Sequence, residues 1–376
     1  MQFRDLKKQY HVLKEDIDKG ISEVLESSAF ILGKPVSELE QKLAEFAGVK
    51  HCVSCANGTD ALQLMLMVWG VGPGDAIFTS DFTYFASAGT SSILGATPIF
   101  VDIDINTFNM SPENLELQIQ KVIKENKLTP KVIIPVDLFG QPADYDKIIP
   151  IAEKYGLKVL CDAAQGFGGS IRGKMVGSMG NATTTSFFPA KPLGCYGDGG
   201  AIFTNSDEED EILRSLRCQG RSPSDKYDNR SIGMNSRLDT LQAAILIPKL
   251  KAFGDYEIDA VNKAASTYTE LLKDMVVTPA VKEGFVSSWA QYTIRLESTE
   301  QRDALKKHMT EKGIPTMVYY PRGLHSQTAY AERCIPDEDY PNTVLAANTV
   351  LSLPMHPYIT EEEIKTVCGA IAEFLK

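Results

Sequence analysis

The chain has 376 residues, 43% of them hydrophobic, and a formal net charge of −11. That length accommodates a large α/β domain with a smaller one beside it. The acidic balance argues against a nucleic-acid-binding surface, which shows a basic excess. Residues 1–16 carry no apolar h-region, and the longest mainly apolar run, 62–71, is too short to span a bilayer. A cytoplasmic protein without a membrane partner is expected, and the seven scattered cysteines read as reduced thiols packed as small apolar groups.

In chain order, residues 10–26 place Leu13, Ile17, Ile21, Val24 and Leu25 at helical spacing. Pro35 and Val36 lead into a second helix, for which Ser37 with Glu40 gives a capping-box pattern, Leu39, Leu43 and Phe46 the apolar stripe, and Gly48 the end. Short apolar runs then alternate with amphipathic helices. Strands are predicted at 51–55, 75–79, 98–101, 132–136, 158–161 and 201–204. Helices are predicted at 58–69, 84–94, 112–125, 144–155 and 207–218. This alternation predicts a mostly parallel sheet with helices on both faces and ligands at the carboxyl ends of its strands. Residues 219–234 read as a long loop, and residues 236–264 as a long helix broken near Pro248. Strands at 292–296 and 316–319, with helices at 299–312 and 360–375, make a smaller α+β unit. Thr360 and Glu363 form a capping box on the last helix. The division falls at residues 1–250 and 251–376.

Cys52 and Cys55 form a C-x-x-C, but no second pair follows. In a strand the odd offset turns the two thiols to opposite faces. The five histidines are dispersed, so no metal site is expected.

The chemistry centres on Thr183 to Gly200. Pro192 disfavours helical dihedrals at Lys191, and glycines 194, 197, 199 and 200 allow close backbone approach and positive φ. A desolvated lysine amine there can form a Schiff base, whereas the bland reading is a surface lysine beside a Gly-rich turn. Four other pieces lie where strands end. Asn57, Gly58 and Thr59 open a helix, as either an ordinary N-cap or a phosphate cradle. Asp162 ends an apolar strand, as either a turn cap or the partner of a pyridinium nitrogen. Tyr84 follows a strand, as either core or a face for a flat ring. Asn235 stands at the predicted start of the long helix, as a cap or a second phosphate ligand. Together with the sequestered Lys191 they describe a pyridoxal phosphate site. Arg237 is the candidate for a substrate carboxylate, an interface salt bridge being its bland reading.

The segments CANGTDAL (55–62), DAAQ (162–165), SFFPAK (186–191), GDGGAIFTN (197–205) and NSRLDTLQAA (235–244) resemble the sugar aminotransferases of the DegT/DnrJ/EryC1/StrS family over almost the whole chain. The resemblance implies a fold-type I aminotransferase, α/β with a smaller C-terminal domain, forming a homodimer with shared active sites. It further implies that Lys191 forms the Schiff base, Asp162 pairs with the pyridine nitrogen, Tyr84 stacks on the ring and Gln165 lies near it. Gly58, Thr59 and Ser186 would hold the phosphate, and Asn235 would reach the phosphate of the neighbouring subunit's cofactor. Related sugar dehydratases have histidine where this chain has Lys191, which favours transamination. The implied substrates are L-glutamate and a nucleotide-linked keto sugar. UDP-2-acetamido-2-deoxy-3-oxo-glucuronate, for bacterial O-antigen, stands ahead of a dTDP-3-keto-6-deoxyhexose or a UDP-4-keto sugar. Pyridoxamine phosphate would form between two ping-pong half-reactions. A non-catalytic regulator on the same fold is the alternative class. Two positions depart from the family pattern, Tyr319 in VYYPRGLH and Gln219 in RCQG. Tyr319, Tyr320 and Arg237 are the expected substrate contacts.

Overall fold

The computed structural model describes every residue except Pro223 and Lys226, which fall within the predicted loop 219–234. Helix α1 (Leu6–Ser27) is capped by the Asp5 side chain and buries Ile17 and Val24. Helix α2 (Lys34–Ala47) has Pro35 in its first turn and ends at Gly48, whose φ of 69° suits a residue without Cβ. The predicted Ser37–Glu40 capping box is not formed. The helix starts three residues earlier, so Ser37 Oγ donates to the Lys34 carbonyl instead. Glu40 turns inward, where its carboxylate accepts from Ser54 and from Arg217 at 2.6 Å, a pair buried on both sides.

The alternation expected for the next stretch is present. In order come β1 (His51–Cys55), α3 (Gly58–Val68), β2 (Asp75–Ser80), α4 (Ala86–Ile93), β3 (Thr97–Val101), α5 (Pro112–Glu125), β4 (Thr129–Ile134), α6 (Tyr145–Tyr155) and β5 (Lys158–Asp162). Two short strands, β6 (Ser170–Ile171) and β7 (Lys174–Met175), precede β8 (Ala182–Ser186), β9 (Gly200–Thr204) and α7 (Asp207–Leu216). The main sheet has seven strands in the order β1-β9-β8-β5-β4-β2-β3. Only β9 runs against the others, pairing antiparallel with β1 and β8. The carboxyl ends of β1, β2, β5 and β8 therefore share one edge, and they deliver Asn57, Tyr84, Asp162 and Ser186 to it. Cys52 and Cys55 do face opposite ways: Cys52 packs with Leu43, Phe187 and Phe203, and Cys55 with Leu62, Met65 and Leu160.

The long helical stretch differs from expectation at both ends. It starts at Thr240, because Ser236 is tied by its backbone to Arg217 and by its hydroxyl to the Ala56 amide. Pro248 lies inside α8 (Thr240–Ala252) without ending it, since a proline φ is helical and only one backbone bond is lost. The interruption is a π turn at Phe253–Glu257, after which α9 (Ile258–Leu272) continues. Residue 250 thus lies within a continuous helical segment.

The C-terminal part contains β10 (Phe285–Val286), β11 (Tyr292–Arg295), α10 (Thr299–Glu311), α11 (Pro341–Thr349), β12 (Val350–Leu353) and α12 (Glu361–Phe374). It has its own core of Tyr268, Tyr292, Leu305, Leu351 and Ile371, and α12 carries the predicted capping box of Thr360 and Glu363. The predicted strand 316–319 reduces to one bridge between Met317 and Ser352. Beyond it Tyr319 and Tyr320 turn away to meet Phe3 and Phe82, which takes the backbone off the sheet. Among the described residues no helix is long and apolar enough to cross a membrane, and no cluster of three or more His, Cys, Asp or Glu could hold a metal ion.

Asp137, after β4, is completely buried, and its carboxylate accepts from the Ala143 amide and the Tyr145 hydroxyl through one oxygen only. Burial pushes it up to about 7, against those hydrogen bonds. A group raised in the folded state contributes stability that is present below its unfolded pKa and lost as pH rises through the folded value. Asp137→Asn keeps the acceptor oxygen without the charge. Its Tm should exceed that of the native chain at pH 8, and the gap should close as pH falls from about 7 towards about 4. Thermal unfolding across that range checks it; a gap that does not change with pH would refute it.

Candidate active site

Lys191 lies in the loop between β8 and β9. The loop is folded tightly: the Lys191 amide donates to the Phe188 carbonyl at 2.8 Å and the Cys195 amide to the Phe187 carbonyl at 2.8 Å. The glycines explain the tightness, though not through positive φ, which none of glycines 194, 197, 199 and 200 adopts. A Cβ on Gly194 would stand 2.5 Å from the Pro189 carbonyl oxygen, and one on Gly200 would stand 2.4 Å from that of Asn57. Both positions need a residue without a side chain because another backbone presses there. Lys249, buried in α8, donates to the Gly194 carbonyl, and Arg4 Nη2 donates to the Pro192 carbonyl at 3.0 Å. The loop is thus held from below by two cations.

Asp162 ends β5 with 5% of its surface exposed. Ser87 Oγ donates to its Oδ2 at 2.8 Å and the Ala164 amide to its Oδ1 at 3.1 Å. Burial pushes the Asp162 carboxyl up, while these bonds and the nearby Lys191 charge pull it down. Burial likewise holds the half-buried Lys191 amine below the usual lysine range, and Asp162 opposes this. A desolvated acid and a desolvated amine face one another across the sheet edge without a direct hydrogen bond among the described residues.

The N-terminus of α3 lies beside them. Asn57 is its cap, accepting from the Asp60 amide at 2.8 Å, as the plainer sequence reading had it. That cap does not use the first-turn amides of Gly58 and Thr59. A Cβ on Gly58 would stand 2.6 Å from Ser186 Cβ, so the helix end is pressed against Ser186 and its hydroxyl. Amides at a helix N-terminus with a hydroxyl alongside suit a phosphate. On the other side Gln165 is locked in place, accepting from the Phe139 amide at 2.8 Å and donating to the Tyr320 hydroxyl at 3.0 Å. Tyr84 is 60% exposed, just before α4, with its ring 6.5 Å from that of Tyr320. Tyr319 adjoins Tyr320 at 5.8 Å between ring centres.

Asn235 and Arg237 are not drawn into this group by hydrogen bonds among the described residues. Asn235 is exposed, pairs with Cys218 in an isolated bridge and is no helix cap, since the cap position of α8 is Asp239. Its Oδ1 accepts from Arg237 Nη2 at 2.7 Å, while Arg237 Nε is buried with no partner. Of the two departures from the family pattern, Gln219 adopts a left-handed φ of 66° and bonds to Met234 through its backbone. Sequence reasoning missed Ser87, Ser236 and Arg4. Ser87 could have been found three residues after Tyr84 on the same turn. Arg4 lies 187 positions from Lys191, and no local pattern connects them.

These residues fit pyridoxal phosphate. The pressed Gly58–Ser186 contact leaves donors for its phosphate, the buried Asp162 suits a protonated ring nitrogen, and the low-pKa amine of Lys191 suits its aldehyde. The model of the DegT/DnrJ/EryC1/StrS aminotransferase family matches residues 11–372. The UDP-2-acetamido-2-deoxy-3-oxo-D-glucuronate aminotransferase of Pseudomonas aeruginosa is 47% identical over 374 residues, 99% of each chain. A pleiotropic regulatory protein of Geobacillus stearothermophilus is 45% identical over 376 residues, 99% of this chain and 98% of its own. The crystal structure of S. venezuelae DesV in complex with a ketimine intermediate superposes with a TM-score of 0.94 at 34% identity, covering 100% of this chain and 98% of the other. Site, sheet and sequence agree along the whole chain, which belongs to the DegT/DnrJ/EryC1/StrS aminotransferase family and is a pyridoxal-phosphate-dependent aminotransferase.

Proposed function

We propose that the chain moves the amino group of L-glutamate onto UDP-2-acetamido-2-deoxy-3-oxo-glucuronate, in the cytoplasm, for a bacterial surface polysaccharide such as O-antigen. The observation that carries the acceptor is the full-length similarity to the Pseudomonas aeruginosa enzyme of that substrate. Bound pyridoxal phosphate supplies the carbonyl that takes up the nitrogen and a ring that withdraws electrons. The chain's residues do the rest. Gly58, Thr59 and Ser186 would hold the phosphate, and Asp162, fixed by Ser87 and Ala164, would keep the ring nitrogen protonated. Tyr84 and Gln165 would bracket the ring. Lys191 Nζ, whose hold on a proton burial weakens, would take a proton from the carbon that bears the amino group and return one in the reverse sense. L-Glutamate leaves as 2-oxoglutarate before the sugar enters, which gives ping-pong kinetics.

Asn235 is exposed, as would suit a contact to the cofactor of a second copy in a homodimer. Arg237 beside it keeps an unpartnered buried Nε and forms no ion pair among the described residues, so its fork is open to a uronate carboxylate. Tyr319 and Tyr320 would line the sugar side. The similarity to a protein named as a pleiotropic regulatory protein supports a second reading, a regulatory role. Retention of Lys191 and Asp162 in a desolvated pair favours catalysis.

Lys191→Ala should abolish the visible cofactor band and lower kcat by at least about 10³-fold; a variant that keeps both would refute the assignment, and a native protein that gains no band with added cofactor would favour the regulator. Asp162→Ala should slow each half-reaction by about 10²-fold or more, read by rapid mixing with either substrate. Arg237→Ala should raise the KM for the uronate acceptor about tenfold and spare the glutamate half-reaction. Equal damage to both halves would remove Arg237 from acceptor binding. A panel of UDP- and dTDP-linked 3-keto and 4-keto sugars separates the acceptors.

A further inference from the structure

Transamination brings a second charged group to Lys191 besides the cofactor: the carboxylate of the amino-acid substrate. A cation must meet it near the amine, and Asp162, the nearest fixed charge there, has the wrong sign. Two observations locate the cation. Arg4 Nη2 bonds to the carbonyl of Pro192, the residue next to Lys191, and the Arg4 charge acts on Lys191 directly. Its backbone is held on the wall of the site. The Phe3 carbonyl accepts from the Met355 amide at 3.1 Å, and the Phe3 ring lies 6.2 Å from that of Tyr319, which adjoins Tyr320 and, through it, Gln165.

The second observation is that no carboxylate touches this guanidinium among the described residues. It is half-buried, and among the described residues no carboxylate forms an ion pair with it. The carboxylate that acts on it is that of Glu257, whose Oε1 already accepts from Gln9 at 2.9 Å and from the Tyr358 hydroxyl at 2.6 Å. The other titratable groups within its field supply no negative charge: they are Lys249, Lys191 and His356, the last driven down to about 4 by burial first and Arg4 second. A largely desolvated cation with no anion in direct contact gains when one arrives in the working state. A carbonyl oxygen takes one donor of a five-donor fork and leaves the rest.

We infer that Arg4 binds a carboxylate of the amino-acid substrate, L-glutamate in one half-reaction and 2-oxoglutarate as its product, while Arg237 is left for the sugar. This rests on the proposed reaction and assigns to the N-terminal segment the donor side of it. Arg4 is a binding residue, fixed by the Pro192 carbonyl at the base of the Lys191 loop.

The test uses the cofactor-loaded protein. With Arg4→Gln, the L-glutamate concentration giving half the maximal rate of the first half-reaction, read from the cofactor absorbance, should rise by about tenfold or more. The rise in Tm caused by maleate, an unreactive dicarboxylate, should shrink, while the Tm without ligand stays within about 2 °C. Arg4→Lys, keeping charge without the fork, should recover part of both. The acceptor KM should not move. Unchanged glutamate and maleate responses would overturn the inference, and so would a parallel fall in both half-reactions together with the ligand-free Tm, which marks a purely structural staple. If the native protein does not respond to L-glutamate at all, the donor assignment fails instead, and Arg4 is then judged by maleate alone.

Discussion

A buried carboxylate and a half-buried amine, both largely stripped of water, constrain this molecule more than any other pair of groups. Asp162 and Lys191 are each driven towards the neutral form by burial and each draws the other back towards the charged one. Neither state is comfortable in a low-dielectric interior, so the surrounding structure has to hold both in place. Ser87 and the Ala164 amide each donate to one oxygen of the carboxylate, and backbone bonds within the Phe188–Cys195 loop fix the turn that carries the lysine. The strand order has the same consequence: β5 and β8 are parallel neighbours, so Asp162 pairs across from Thr184 and the loop after Ser186 returns over it. A cofactor with a cationic ring nitrogen and an aldehyde would satisfy the two groups at once.

The close backbone approaches serve that pair. Gly200 admits the Asn57 carbonyl, Gly58 admits Ser186, and Gly166 admits Asp137, whose Cβ would be 2.2 Å from an added one. Each contact draws a strand end inward at the carboxyl edge. Glu40 is shared between Ser54, Arg214 and Arg217, an ion cluster whose value lies less in net stability than in tying α2, β1 and α7 together. On the far side, His325 bridges Asp81, at the end of β2, to Asp337, and stacks on Tyr340 at 4.7 Å. That bridge anchors the C-terminal part beside the strand end that presents Tyr84.

The N-terminal segment carries the least local pattern, although it is only a few residues long. Its helix is visible from spacing, but the residues before the helix have no pattern. Their importance comes from contacts with Pro192, Tyr319 and Met355, at separations that no window of sequence spans. The same holds for Ser236, which looked like the first residue of a helix and instead caps the turn after β1 through the Ala56 amide.

Much was nonetheless determined by the chain itself. Period-two and period-3.6 patterns place β1, α5 and the strand–helix alternation, because burial of one face imposes those periods locally. The motifs around Lys191, Asp162 and Gly58 were legible because close approach and strand ends demand particular residue types at particular places. Tertiary structure alone decided where helices begin, which glycines yield space rather than positive φ, and that 316–319 leaves the sheet. It also decided that Arg4 stands under the Lys191 loop with no carboxylate in contact among the described residues. Those outcomes depend on which distant groups compete for a backbone amide or a charge, and that competition exists only once the chain has closed on itself.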